Sequence, residues 1–172
     1  MPEEFLSPSK ILDKLELRSD MTAADFGSGS GGWVLPLAKK LEDGQVFAID
    51  ILEEPLSALK SKAQIQKISN IKTFVSDAEK RVPLADESCD LVLVTNLLFE
   101  INDKKAVFAE GKRVLKKDGK ILVVDWKKDA LLGPKEGRVS QEEIVKIVQE
   151  IGLKVEKKFD AGTYHYALIL VK

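Results

Sequence analysis

Cysteine and histidine are almost absent, with one of each, Cys89 and His165, in 172 residues. A lone cysteine excludes an internal disulfide and a cysteine-based zinc site, and Cys89 opens an apolar run where a buried thiol is ordinary. This usage points to a reducing, cytoplasmic compartment, and no metal site is expected. No stretch approaches the roughly 18 apolar residues of a membrane-spanning helix. The acidic start, Met1-Pro2-Glu3-Glu4-Phe5, lacks the apolar core of a leader. Charge of one sign is missing too. Lys plus Arg number 27 against 28 Asp plus Glu, a net charge of -1, which argues against nucleic acid or an anionic membrane as partner. Asn and Gln are few beside Lys and Glu, a balance that leans towards a thermophilic source. What is present is a 44% hydrophobic chain of about one domain's length. A single domain over 1–172 is expected, with 1–20 as a leading helical segment and no repeat or linker.

Hydrophobic periodicity supplies the elements. A serine-capped helix is expected at Lys10 to Leu17, a strand at Ala23 to Phe26 and a helix at Trp33 to Leu41. A strand at Gln45 to Asp50, a Lys-rich helix at about Glu53 to Lys67 and a strand at Ile71 to Val75 follow. Cys89 to Thr95 reads as a strand buried on both faces. Asp103 to Lys116 is helical, Lys117-Asp118-Gly119 turns the chain, and Lys120 to Asp125 is the fifth strand. Ser140-Gln141-Glu142-Glu143 is a capping box opening the last helix. Lys154 to Asp160 and Tyr164 to Val171 are separated only by Ala161-Gly162-Thr163, too short for a crossover, so they pair as a hairpin. The fold class is therefore α/β: a Rossmann-like three-layer α/β/α sandwich, mostly parallel, with a C-terminal antiparallel β-hairpin.

In such sheets a ligand sits beyond the carboxyl ends of the parallel strands. The turn Asp25-Phe26-Gly27-Ser28-Gly29-Ser30-Gly31-Gly32 leaves the first strand and enters a helix. Its glycines let a nucleotide-like ligand approach the main chain. The pattern matches both G-x-G-x-x-G at Gly27, Gly29 and Gly32 and D-x-G-x-G-x-G at Asp25, Gly27, Gly29 and Gly31. Asp25 sits awkwardly beside a pyrophosphate and favours a cationic group. Asp50, 23 residues after Gly27, is placed to accept from ribose hydroxyls, or else caps the helix at Glu53-Glu54. Asp77 after the third strand reads equally as ligand or turn former. Asn96 and Asp125 end the fourth and fifth strands. An antiparallel last strand begins at this same edge, which puts Tyr164, His165 and Tyr166 near the crevice mouth.

The chain resembles class I S-adenosylmethionine-dependent methyltransferases from Ala23 to Lys172. The resemblance rests on Ala23-Ala24-Asp25-Phe26-Gly27-Ser28-Gly29-Ser30-Gly31, Val46-Phe47-Ala48-Ile49-Asp50, Val82-Pro83-Leu84-Ala85-Asp86-Glu87-Ser88-Cys89-Asp90-Leu91-Val92-Leu93 and Lys112-Arg113-Val114-Leu115-Lys116-Lys117-Asp118-Gly119-Lys120. It implies S-adenosyl-L-methionine as cofactor, held by Asp25, Gly27, Ser28, Gly29, Gly31, Asp50, Ile51, Asp77, Ala78, Asn96 and Leu97. The glycine turn would pass under the methionine part, Asp50 would bind the ribose, Asp77 with the Ala78 main chain would read adenine, and Asn96 to Leu98 would flank the methyl group. Small members of this family often carry a histidine where this sequence has Phe99.

Methyl transfer from a sulfonium needs alignment more than it needs polar catalysts. The expected function is in-line methyl transfer to a small-molecule acceptor, with His165 as the candidate catalytic base or else a packed strand histidine. Trp126, Arg138, Tyr164 and Tyr166 are candidates for lining an acceptor pocket. Two other readings stand beside it. One is a cofactor-binding module without activity of its own or needing a partner chain, and the other is a nicotinamide-dependent oxidoreductase, for which 172 residues leave little room.

Overall fold

Residues 5–172 are described by a computed structural model; the first four residues of the expected leading segment lie outside them. After a short helix α1 (Pro8–Leu12), strands and helices alternate: β1 (Thr22–Phe26), α2 (Val34–Lys40), β2 (Gln45–Asp50), α3 (Glu53–Ile65) and β3 (Ile71–Val75). Then come β4 (Cys89–Thr95), a 3₁₀ turn (Leu98–Glu100), α4 (Lys104–Val114), β5 (Leu115–Trp126), α5 (Gln141–Glu150), β6 (Lys154–Asp160) and β7 (His165–Val171). The strands form one sheet in the order β3-β2-β1-β4-β5-β7-β6. Strands β1 to β5 run parallel, β7 is antiparallel to β5, and β6 pairs antiparallel with β7. Strand order reverses between β1 and β4, which places a ligand crevice at their carboxyl ends.

Side-chain alternation sends the two faces of each strand into two cores. Phe26, Val92, Val94, Val123 and Leu168 meet Val107 and Phe108 of α4 and Ile144 and Val148 of α5. Ala23, Ala48, Leu93, Val124 and Ile169 meet Leu12 of α1, Leu37 of α2 and Leu59 of α3. Three layers result, and β4, buried over Leu91 to Thr95, lies mid-sheet. Exposed edge strand β6 carries Lys154, Lys157 and Lys158, charges that discourage pairing with another sheet.

Two boundaries differ from the periodic pattern by more than two residues. Helix α1 ends at Leu12, short of Leu17. Lys14 N–H bonds Ile11 O and Leu15 N–H bonds Leu12 O, and these three-residue closures tighten the chain out of the helix. Leu15 and Leu17 still pack against the core. Strand β5 begins at Leu115, where a helix end and turn are expected. Its register jumps from Leu115 opposite Cys89 to Lys120 opposite Leu91, so Lys117-Asp118-Gly119 forms an irregularity inside the strand. A Cβ at Gly119 would stand 2.9 Å from the Asp90 carbonyl oxygen, so only glycine passes there. The Ser140 capping box forms with both of its hydrogen bonds.

Leu93 is fully buried between its neighbours on β1 and β5. Leu93→Ala is expected to destabilise the protein by about 2–5 kcal/mol, read by denaturant unfolding; a change below about 1 kcal/mol would contradict its central place.

Candidate functional site

At the end of β1 the glycine turn folds back onto the end of β2. The Ile49 carbonyl accepts from the N–H groups of both Gly27 and Ser28, at 2.8 and 2.9 Å. Asp50 adds a third tie, accepting from Gly29 N–H through Oδ2 at 2.8 Å and from Leu52 N–H through Oδ1 at 3.0 Å. Asp50 therefore braces the turn and also caps the approach to α3. Gly27 and Gly29 have φ of +72° and +53°, a region side chains resist. A Cβ on Gly27 would reach within 2.5 Å of Leu97, whereas nothing lies within 4 Å of one on Gly29. The main chain at Gly29 thus borders open space. Gly31 faces Leu59 of α3, and Gly32 has no close neighbour. The close helix contact falls on the third glycine of D-x-G-x-G-x-G, not on that of the dinucleotide pattern.

Beyond these strand ends lies a cavity of about 300 Å³. Gly27, Gly29, Asp50, Ile51, Asp77, Ala78, Asn96 and Leu97 line it together. Of the residues expected to bind a ligand, Asp25, Ser28 and Gly31 are not in its wall; Asp25 and Ser28 are buried. Glu79 and Glu100 also line it, and sequence reading missed both. Their proximity to Asp77 and Asn96 along the chain was the only available signal. The wall holds four acids, Asp50, Asp77, Glu79 and Glu100, and no lysine, arginine or histidine. These acids do not converge: among the described residues no group of three or more His, Cys, Asp or Glu is arranged to hold a metal ion.

Behind this wall, burial acts on which acids carry charge. Asp25 is 1% exposed, and neither of its carboxyl oxygens has a hydrogen-bond partner among the described residues. Burial, then the charge of Asp50, pushes its pKa well above the carboxylate range. Asp77 accepts from Glu79 N–H at 2.9 Å and meets the Lys80 ammonium at 3.5 Å, so it forms its turn while still facing the cavity. Asn96 takes φ of +48°, and its Oδ1 is buried without a partner. Asp125, fully buried, holds that corner. It accepts from Leu97, Leu98 and Trp126 N–H at 3.2, 2.9 and 2.8 Å. Burial raises its pKa, and those three N–H groups oppose the rise.

Residues 24–123 match the family described as "Methyltransferase domain". The chain belongs to this family. It is 28% identical to a SAM dependent methyltransferase from Aquifex aeolicus of known structure, with a TM-score of 0.89 over 96% of this chain and 89% of that one. Among curated relatives, a demethylmenaquinone methyltransferase of Bacillus mycoides (strain KBAB4) is 25% identical, covering 73% of this chain and 53% of the relative. A ubiquinone/menaquinone biosynthesis C-methyltransferase of Shewanella frigidimarina (strain NCIMB 400) is 27% identical, covering 87% and 58%. The chain thus spans about half the length of the curated relatives it matches. Among the described residues, no helix of this methyltransferase-family chain is long and apolar enough to cross a membrane.

None of the residues expected at the acceptor end lines the cavity. The Arg138 guanidinium donates to the carbonyl oxygens of Lys127, Lys128, Ala130, Leu132 and Pro134. It clamps the loop between β5 and α5, which leaves little of it to meet an acceptor. The Tyr166 hydroxyl donates to Val139 O at 2.8 Å in the core beneath α5, and burial drives its pKa up. Tyr164 is buried with its ring 6.2 Å from that of Phe5. Trp126 packs its ring 4.0 Å from that of His165, its partner across the β5–β7 ladder. His165 is 4% exposed, and neither ring nitrogen has a partner among the described residues. Burial first, and the Lys127 charge second, lower its pKa to about 4.

The imidazole is therefore neutral in the folded protein well below pH 6.5, while the unfolded chain takes up a proton there. Stability present above pH 6.5 is lost as pH falls towards 4. Thermal midpoints of the native protein and of His165→Gln should diverge on acidification, the variant losing less; superimposable profiles would overturn the burial of a neutral ring.

Proposed function

We propose that the chain binds S-adenosyl-L-methionine in this cavity and transfers its methyl group to a small-molecule acceptor by direct in-line displacement. The observation that carries this reading is that every charged residue of the wall, Asp50, Asp77, Glu79 and Glu100, is acidic. Such a wall suits a cationic nucleoside and repels a pyrophosphate, which also weighs against a nicotinamide dinucleotide. The unpartnered Asn96 oxygen and the open space at Gly29, both in the wall, fit a ligand with polar groups, and the unpartnered Asp25 carboxyl lies buried behind them.

Each Asp50 oxygen already accepts one N–H and keeps lone-pair capacity for ribose hydroxyls, so the group that binds the ligand is also held in place. Asp77 and the Ala78 main chain would read the adenine edge. Leu97, fixed through Asp125, and Asn96, whose N–H donates to the Val124 carbonyl, would border the reacting end. The bound sulfonium supplies a methyl group already activated for displacement. The chain's own contribution is alignment and exclusion of water, so no covalent nucleophile is required. His165, the one histidine, packs against Trp126 outside the cavity wall and is neutral at pH 7, so no proton transfer is given to it. The names of the quinone-methylating relatives make a quinone precursor the first acceptor to test.

The second reading, a cofactor-binding module that works only with a partner, is favoured by one observation: no expected acceptor residue lines the cavity. Calorimetry with S-adenosylmethionine, followed by an acceptor panel, separates the two. Binding with turnover supports the first, binding without turnover the second, and no binding at millimolar cofactor sinks both. Asp50→Ala should weaken cofactor binding by at least about tenfold, since it removes charge-assisted bonds and the brace on Gly29; unchanged affinity would overturn the assignment.

A further inference from the structure

Asp25 is buried in a way that disfavours its own charge. Across the ladders it faces Ala48 of β2 and Leu93 of β4, both apolar and fully buried. Its carboxyl oxygens meet no donor among the described residues. Asp50, two residues beyond Ala48 on the same face of β2, is the one charge that acts on it. The helices covering this face send their charges elsewhere. Lys40 of α2 pairs with Asp13, Lys62 of α3 reaches Ser30, and Glu53 and Glu54 of α3 point to solvent. An ionised carboxylate next to a second one, without a hydrogen bond, is among the least favourable arrangements in a protein interior. Protonation relieves it, and so does an incoming cation.

We propose that Asp25 carries a proton in the unliganded protein and surrenders it to solvent when a cationic ligand enters the cavity, so that cofactor binding is coupled to proton release. The balance is simple: the O–H bond of the Asp25 carboxyl breaks, the proton leaves to water, and the carboxylate left behind, two residues before Gly27 of the wall, offsets the ligand's positive charge across the glycine turn. Burial of an unpaired cation is thereby avoided. The site then discriminates by charge as well as by shape, gaining affinity for a cationic nucleoside as pH rises and remaining indifferent to pH for a neutral one. The ligand half of this inference rests on the cofactor reading above; the protonation half does not.

Asp25→Asn keeps the shape and removes the titration, which allows two independent tests. Without ligand, the folded protein retains a proton that the unfolded chain loses near pH 4, so this group's contribution to stability falls as pH rises. Its sign is opposite to that of His165, so it is read as a difference between proteins. The midpoint of Asp25→Asn minus that of the native protein should grow from pH 4.5 to pH 8, and parallel profiles would overturn the protonated state. With ligand, S-adenosylmethionine titrated at fixed pH in two buffers of different ionisation enthalpy should release close to one proton per site from the native protein. Asp25→Asn should release none, and neither should the native protein binding adenosine. Binding without release, or equal release from both proteins, overturns the coupling. Failure of S-adenosylmethionine to bind refutes the ligand half and the cofactor reading together, and leaves the ligand-free profiles to decide the protonation half.

Discussion

Three N–H groups of the glycine turn, those of Gly27, Ser28 and Gly29, are held by the last two residues of β2: the first two by the Ile49 carbonyl, the third by the Asp50 carboxylate. Everything at the carboxyl edge of the sheet depends on this splice. It fixes a turn that glycine alone makes soft, and its fixed form leaves the main chain open towards the cavity. A carboxylate also suits this place because it accepts more bonds than the turn uses. The residue that braces the turn therefore keeps acceptor capacity facing the cavity, and the brace reaches on towards α3 through Leu52 N–H.

A second carboxylate does the same work on the other side of the crevice. Asp125 gathers three N–H groups where β4 gives way to the 3₁₀ turn, and Asn96 adopts a left-handed conformation beside it. Bonds from N–H groups make a buried acid tolerable. Asp25 has none, and the proposed proton release rests on that contrast between the two buried acids. Function is concentrated where local satisfaction fails.

Rigidity at the far end has a different origin. The loop after β5 has no regular structure, yet a single guanidinium ties five of its carbonyls, and the Tyr166 hydroxyl pins Val139 where the loop enters α5. Exposed Leu131 and Leu132 stand on this loop, so its order comes from polar bonds and not from burial. Arg138 and Tyr166, which look like acceptor contacts along the chain, turn out to be its internal supports.

Much of the architecture could be read from the chain because its causes are local. The apolar patterning along β1 to β5, the Ser140 capping box and a link before β7 too short for a crossover are properties of a few neighbouring residues, and they recur in the structure, the link as four residues with Tyr164 added to the expected three. The family pattern is likewise written in short stretches from Asp25 to Lys120, and the family match covers residues 24–123. The carboxylates at strand ends were legible for the same reason: a parallel sheet places every such end at one edge. Only the tertiary structure decided which partner each polar group meets. The Val139 carbonyl opposite Tyr166, the Leu97 and Leu98 donors to Asp125 and the lack of any donor for Asp25 and His165 depend on residues distant in sequence, and the five nearby carbonyls around Arg138 belong to a loop with no periodicity to read. Periodicity tells which face a side chain takes; what waits on that face is set by the packing of other elements.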